Sequence, residues 1–285
     1  MNYRRILFVL VLSFMAVSMT QAQYIKVMTY NIRFDGSGDG PDSWSQRREQ
    51  VVEQLKFYQP SVIGIQEGLH NQVQYLDNEL PAYHYRGVGR KDGKKQGEYS
   101  AIYYDTRRFS LIQNNTFWLS PTPDEPSKGW DADYERICTY VLLEDRSHQQ
   151  PIWIFNTHFD HVGEESRYQA ARLILQKIET LNTNGYPVVL MGDLNAEPGD
   201  RPIDTINDVM KDARVITENP AFGPEGTYNG FQYDKPADRR IDYIFVDGAS
   251  VVRYGVLSDP ENMRFPSDHF PVMAEIRIAA YEDLQ

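Results

Sequence analysis

Nine short apolar runs, several of them alternating and rich in β-branched or aromatic residues, constrain the fold of this 285-residue chain more than any other feature. Runs of this kind are typical of β-strands. Helical spacing of apolar residues is found at roughly Ser45 to Tyr58, Asn71 to Leu80 and Glu165 to Leu181. We therefore predict a strand-rich α+β protein in which helices separate pairs of strands. The runs are IKVMTYNI, SVIGIQE, YSAIYYD, CTYVLL, PIWIFNTH, PVVLMGDLN, RIDYIFV, VVRYGVL and FPVMAEIRI.

The N-terminus, residues 1–22, has the pattern of a secretory signal peptide. Arg4 and Arg5 precede an apolar run from Ile6 to Val17, and small residues lead up to Ala22. The run is shorter than the ~20 residues that a helix needs to span a bilayer. We expect cleavage after Ala22 and export to a periplasm or to the outside of the cell, without a stable membrane anchor. A retained anchor is the alternative.

The remaining residues, 23–285, contain no linker, repeat or charge block, so we predict a single domain and a monomer. The formal net charge of −11 argues against a sequence-independent grip on polyanions, although a local basic patch could still bind a nucleic acid. The single cysteine, Cys138, has no partner for an intramolecular disulfide, so we expect a buried thiol.

Polar residues stand at the ends of six of the apolar runs. Four runs end at such a residue, and two others begin just after one. If the first four strands run toward one rim of the fold and the last two run away from it, all of these side chains meet at that rim. This arrangement requires mixed or antiparallel sheets. The closing residues are Asn31, Glu67, His158 and Asp193, and the opening residues are Asp242, Asp268 and His269.

Four carboxylates brought together at one rim would repel one another, and their pKa values would rise unless a cation lay among them. Oxygen ligands without a thiolate indicate Mg²⁺, Mn²⁺ or Ca²⁺. Asn31 and Asn195 can hold a water molecule or a phosphate oxygen without adding charge. The two histidines titrate near neutral pH. Together these groups favour metal-assisted hydrolysis of a phosphate ester.

Six motifs carry a resemblance to a known family. TYNIR, IQE, NTH, GDLN, RIDYIF and SDHFPV occur in the order and at about the spacing of the endonuclease/exonuclease/phosphatase superfamily. That superfamily includes pancreatic-type DNase, abasic-site endonucleases, neutral sphingomyelinases, inositol polyphosphate 5-phosphatases and deadenylases. The resemblance implies a four-layer α/β/β/α sandwich, with two mixed, mainly antiparallel sheets packed face to face and the site at one end.

The resemblance also implies a metal site. Glu67 resembles the main metal ligand of the family, with Asn31 beside it and Asp268 close enough to contribute. The expected ion is Mg²⁺ or Mn²⁺.

The catalytic roles follow in the same way. Asp193 and Asn195 resemble the residues that orient the attacking water and hold a phosphate oxygen. His269 resembles the general base or phosphate-polarising histidine, and Asp242 the carboxylate that fixes its tautomer. His158 resembles the second histidine, which in DNase-like members is paired with a glutamate. Here that glutamate would be Glu98.

Three further residues have two interpretations each. Arg136 could contact a phosphate or form a surface ion pair. His161 could contact substrate or face solvent behind the site. Trp130 could line the mouth of the pocket or pack on the body of the protein. The segment GRKDGKKQGE, which includes Arg90, is typical of a solvated hairpin.

The sequence thus predicts an exported, Mg²⁺-dependent hydrolase of phosphoric esters. The first hypothesis is a phosphodiesterase acting on nucleic acid or a nucleotide. The alternatives are a phospholipid head-group phosphodiesterase and an inositol or sugar phosphate phosphatase, because fold does not determine substrate. The remote alternative is a binding module without catalysis, although every position that the chemistry requires is filled.

Overall fold

The computed structural model describes residues 23–278. The predicted signal peptide, 1–22, lies outside the described residues, so its cleavage after Ala22 stays a prediction. Among residues 23–278 no helix is both long and apolar enough to span a bilayer.

The described part of the chain contains twelve β-strands. In chain order they are β1 (Gln23–Asn31), β2 (Val62–Gln66), β3 (Tyr83–Arg86), β4 (Ile102–Asp105), β5 (Phe109–Trp118), β6 (Ile137–Asp145), β7 (Gln150–His158), β8 (Val188–Asp193), β9 (Lys211–Asp212), β10 (Asp242–Asp247), β11 (Ser250–Val256) and β12 (Val272–Ile278).

Five α-helices and a short 3₁₀ turn at Gly40–Asp42 complete the described elements. The helices are α1 (Trp44–Tyr58), α2 (His70–Glu79), α3 (Glu164–Leu181), α4 (Arg201–Asn207) and α5 (Ala213–Ile216). The three helices predicted from spacing correspond to α1, α2 and α3, and their bounds agree with the prediction to within one residue.

The strands form two six-stranded sheets. Sheet one has the order β11-β12-β1-β2-β4-β3, and sheet two has the order β5-β6-β7-β8-β10-β9. In each sheet a single parallel pair, β1 with β2 or β7 with β8, lies at the centre, and the other pairs are antiparallel. The predicted mixed, mainly antiparallel sheets are therefore confirmed.

Three apolar layers hold this arrangement together. Between the sheets, Ile25 and Val62 of sheet one share a buried cluster with Ile154 and Val189 of sheet two. A second cluster joins the outer face of sheet two to α3 and α4, and a third joins the outer face of sheet one to α1 and α2. Burial of apolar area on both faces of each sheet is the main stabilising contribution. The predicted four-layer sandwich is confirmed.

The strand directions place the polar strand ends at one rim, as predicted. β10 runs antiparallel to β8, so that Asp242 lies opposite Asp193, and the parallel neighbour β7 puts His158 beside Asp193. In sheet one, Asn31 at the end of β1 lies beside the last residue of β2, and Glu67 follows directly. The rim is thus built by both sheets.

Candidate active site

The residues predicted for the site, apart from Trp130, surround one cleft at this rim. Its volume is about 730 Å³. Asn31 and Asp242 lie directly behind its surface and are almost fully buried. The predicted residues that line the cleft are Glu67, Glu98, Arg136, His158, His161, Asp193, Asn195, Asp268 and His269.

Asn31 connects the carboxylates of the two sheets. Its Nδ2 donates to Glu67 Oε1 at 3.0 Å and to Asp193 Oδ2 at 2.9 Å. Its Oδ1 accepts the backbone N–H of Arg33 at 3.0 Å. In this orientation the amide donates to the acids and offers them no oxygen. A ligating role for Asn31 would therefore require the amide group to flip.

Glu67 is held in an unusual backbone conformation. Its φ is 63°, in the left-handed region that residues other than glycine rarely adopt, and Asn195 has the same property with a φ of 46°. Such conformations cost about 1–3 kcal/mol each and concentrate at functional sites. The Phe34 backbone N–H donates to Glu67 Oε2 at 3.1 Å, which fixes the carboxylate toward the cleft.

His269 and Asp242 form a buried pair. His269 Nδ1 lies 2.9 Å from Asp242 Oδ2, and the Thr227 hydroxyl donates to the same oxygen at 2.6 Å. Burial alone would lower the pKa of His269, but the carboxylates of Asp242 and Asp193 raise it to about 10. The imidazole is therefore positively charged at neutral pH, and its Nε2 faces Asp193 Oδ2 at 3.7 Å.

Asp193 lies at the centre of the site. Its Oδ1 accepts the backbone N–H of Asn195 at 3.0 Å, and its Oδ2 lies 3.4 Å from His158 Nε2. Burial and the neighbouring Asp242 carboxylate raise the pKa of Asp193 to about 7. A carboxyl group in this state can exchange a proton near neutral pH.

His158 is the neutral histidine of the site. Burial and the guanidinium groups of Arg136 and Arg90 hold its pKa well below the usual value. The predicted hydrogen bond to Glu98 is not formed, because His158 Nδ1 and Glu98 Oε2 are 3.9 Å apart. Glu98 instead accepts two hydrogen bonds of 2.8 Å from Arg90. A charged, bidentate guanidinium is a stronger partner for a carboxylate than a neutral imidazole.

The donor set fits a hard divalent cation. Glu67, His158 and Asp193 each offer one ligand atom, and these atoms lie within 4.8 Å of one another. Burial raises the pKa of Asp268 despite the adjacent His269, and the Glu67 carboxylate adds to the increase. A cation among such acids favours their ionised forms. Of these donors, the carboxylates of Glu67 and Asp193 are the type that Mg²⁺ and Mn²⁺ prefer, whereas the imidazole of His158 is a softer ligand.

Comparison with known proteins identifies the family. The sequence profile described as the Endonuclease/Exonuclease/phosphatase family matches residues 28–269. The chain belongs to this family. Family members hydrolyse phosphoester bonds, and this chain is a phosphoesterase of the family.

Solved structures of the family resemble this one over nearly its whole length. A family protein from Bacteroides thetaiotaomicron is 35% identical, with a TM-score of 0.87 over 91% of this chain and 99% of that chain. A mannosyl-6-phosphatase from the same organism is also 35% identical, with a TM-score of 0.85 over 88% of this chain and 99% of that chain.

A curated relative of another kind matches over a smaller region. A probable RNA exonuclease of Saccharomyces cerevisiae is 27% identical, and the match covers 62% of this chain and 39% of that protein. The match therefore spans about two fifths of the exonuclease's length.

Of the three residues with two interpretations, two lie at the phosphoesterase cleft. Arg136 Nε is 3.2 Å from Asp160 Oδ2, and Arg136 is buried, so it is not a surface ion pair. His161 lines the cleft and is exposed to it. Trp130 lies elsewhere, where it lines a separate cavity together with Leu173 of α3. Its backbone is left-handed, with a φ of 50°. The prediction that Trp130 lines the pocket mouth is therefore wrong.

Sequence reasoning missed Arg47, which connects two loops of the family site. The buried guanidinium donates to the carbonyl oxygens of Asp42 at 2.9 Å, Arg33 at 2.6 Å and Pro266 at 3.2 Å, and also to that of Ile32. One loop follows β1 and the other leads to Asp268. Arg47 thus positions the two loops that carry site residues.

We expect Arg47→Lys to reduce kcat about tenfold, because a lysine cannot direct its donors to four carbonyl groups, and displacements of about 1 Å in a site can cost up to 100-fold. Arg48→Lys is the matched control, since Arg48 packs over the Tyr75 ring outside the cleft. Steady-state kinetics with melting curves for both variants measure this effect. Equal kcat values in the two variants would contradict it.

Proposed function

We propose that this chain is a metal-dependent phosphomonoesterase that releases phosphate from a phosphorylated sugar. The observation that carries the proposal is the cleft itself. Its volume of about 730 Å³ suits a small ligand, and cationic side chains, which include Arg33 and Lys91, line it on a chain of net charge −11. The 35% identity to a mannosyl-6-phosphatase supports the same substrate class.

Mg²⁺ or Mn²⁺ would be held by Glu67, Asp268 and, after an amide flip, Asn31. When bound, the ion would neutralise charge at the phosphoryl oxygens and help to activate water. The remaining groups of the chain divide the other tasks between the two sheets.

Asp193 accepts a proton from the attacking water, because its carboxylate faces the cleft and is fixed by the Asn195 backbone N–H. His269 donates a hydrogen bond from Nε2 to a phosphoryl oxygen, and Asp242 holds the opposite ring nitrogen. The Asn195 side chain, whose Nδ2 lies 3.2 Å from His158 Nε2, contributes a neutral donor on the far side of Asp193.

A second candidate is hydrolysis of a nucleic-acid or nucleotide phosphodiester. It is favoured by the similarity to the probable RNA exonuclease of Saccharomyces cerevisiae. The negative net charge of the chain weighs against a long polyanionic substrate.

Phosphate release from a panel of esters tests the proposal. With Mg²⁺ or Mn²⁺ present, we expect kcat/KM for a hexose 6-phosphate to exceed that for a phosphodiester or a single-stranded RNA by about 100-fold or more, as for a site built around one ester class. Asp193→Asn, which keeps the shape of the side chain, controls for contaminating phosphatases. Faster cleavage of the RNA than of every monoester would favour the second candidate.

A further inference from the structure

One wall of the cleft is built from four flat side chains, each of which contacts the next. We call Arg90, Tyr134, His161 and Arg136 the stacked wall. The Arg90 guanidinium lies 5.1 Å from the centroid of the Tyr134 ring. The Tyr134 and His161 rings are stacked, with centroids 5.9 Å apart and an interplanar angle of 17°. Arg136 Nη2 lies 3.2 Å from His161 Nδ1. The contacts fix each group in one orientation.

The contact with Arg136 favours one tautomer of the His161 ring. A guanidinium can only donate, so His161 Nδ1 accepts in this contact. In this tautomer Nε2 carries the ring N–H. Because His161 is exposed and lines the cleft, this N–H is available to a ligand. Tyr134, which is 45% exposed, presents the edge of the same stack to solvent.

The charges of the stacked wall are compensated within the protein. Arg90 is paired with Glu98 through two contacts of 2.8 Å, and Arg136 is paired with Asp160. The wall therefore offers hydrogen bonds without a surplus positive charge. A second phosphate or a nucleic-acid backbone would find both arginines of the wall already paired, whereas uncharged hydroxyl groups would find a fixed donor next to an aromatic edge.

We infer that the stacked wall is the leaving-group subsite, and that His161 Nε2–H recognises a hydroxyl oxygen of the sugar from which phosphate is removed. The inference rests on the proposed function and specifies the position of the sugar in the cleft. The phosphoryl group occupies the side of the cleft with Glu67, Asp193 and His269, and the sugar lies between that side and the stacked wall. Arg136 acts as a positioning residue that fixes the tautomer of His161.

Variants of His161 assayed with two esters test this subsite. The esters are a hexose 6-phosphate and butyl phosphate, whose leaving group has no ring hydroxyls. His161→Phe keeps a flat ring for the stack with Tyr134 but removes the donor. We expect kcat/KM for the hexose phosphate to fall about tenfold, mainly through KM, because one neutral hydrogen bond is lost. The value for butyl phosphate should stay within about twofold, as expected when only the hydroxyl contact is lost.

Two further variants make the test sharper. His161→Asn keeps an N–H donor and should recover part of the loss. The matched control is His84→Phe, since His84 is exposed on β3 outside the cleft.

Two results would overturn the inference. An equal loss with both esters would assign His161 to the phosphoryl group, and no loss with either would remove it from the site. If the unaltered protein hydrolysed phosphodiesters but no phosphomonoester, the proposed function would be rejected, and the subsite with it, before any variant is made.

Discussion

His269→Ala should lower kcat by about 100-fold or more, the range typical of a lost hydrogen-bond donor to the charge of the transition state, while the protein stays folded. The side chain is buried and paired with Asp242, and its Nε2 faces Asp193 in the cleft. Asp242→Asn should also act mainly on kcat, because a neutral amide no longer stabilises the positive charge of the imidazole. Kinetics of both variants on the best ester measure these effects, and His84→Ala is the matched control.

The two losses should not multiply. Residues that act as one unit give non-additive effects, so the double variant should be about as slow as the slower single variant. Independent, multiplying losses would show that Asp242 and His269 do not act as one unit.

Removal of the metal should have an effect of similar or larger size. With EDTA, activity should fall to background and return on addition of excess Mg²⁺ or Mn²⁺, because the loss of a cation that stabilises the transition state by several kcal/mol costs ~10³-fold or more. Glu67→Gln should give the same loss and should weaken Mn²⁺ binding measured by calorimetry, a readout that does not depend on turnover.

The melting temperature of the metal-free protein distinguishes a ligand role for Glu67 from a structural one. Removing one acid from a group of mutually repelling carboxylates should leave the melting temperature of the metal-free protein unchanged or slightly higher. Glu79→Gln, at an exposed ion pair with Lys56, is the control. Full activity in chelator, or a large fall in melting temperature for Glu67→Gln, would contradict the metal assignment.

The sequence predicted the rim because strand periodicity and strand direction are local properties. Asn31, Glu67 and Asp193 stand at ends of apolar runs, and the sheet order then brings them together. The α3 helix was predictable for the same reason, since its apolar spacing repeats over five turns. By contrast, the sequence did not predict the strands Tyr83–Arg86 and Phe109–Trp118. Both lie at the edges of the sheets, where polar residues weaken the alternation that identifies a strand.

Contacts between distant segments were not predictable. Thr227 holds Asp242 from a loop that has no periodicity, and Arg47 reaches Pro266 across 219 positions. The segment around Arg90 is typical of a solvated hairpin, yet Arg90 turns inward because Glu98 on the opposite arm pairs with it. The orientation of the Asn31 amide likewise depends on the acids around it.

The position of β12 has a consequence for how the protein is made. β1, at the start of the described residues, pairs with β12, at their end, and so does β11. Until β12 has been synthesised, β1 has a neighbour on one side only, although it lies near the centre of sheet one. Contacts of such long sequence separation form slowly. We therefore expect sheet one to be completed only after β12 has left the ribosome.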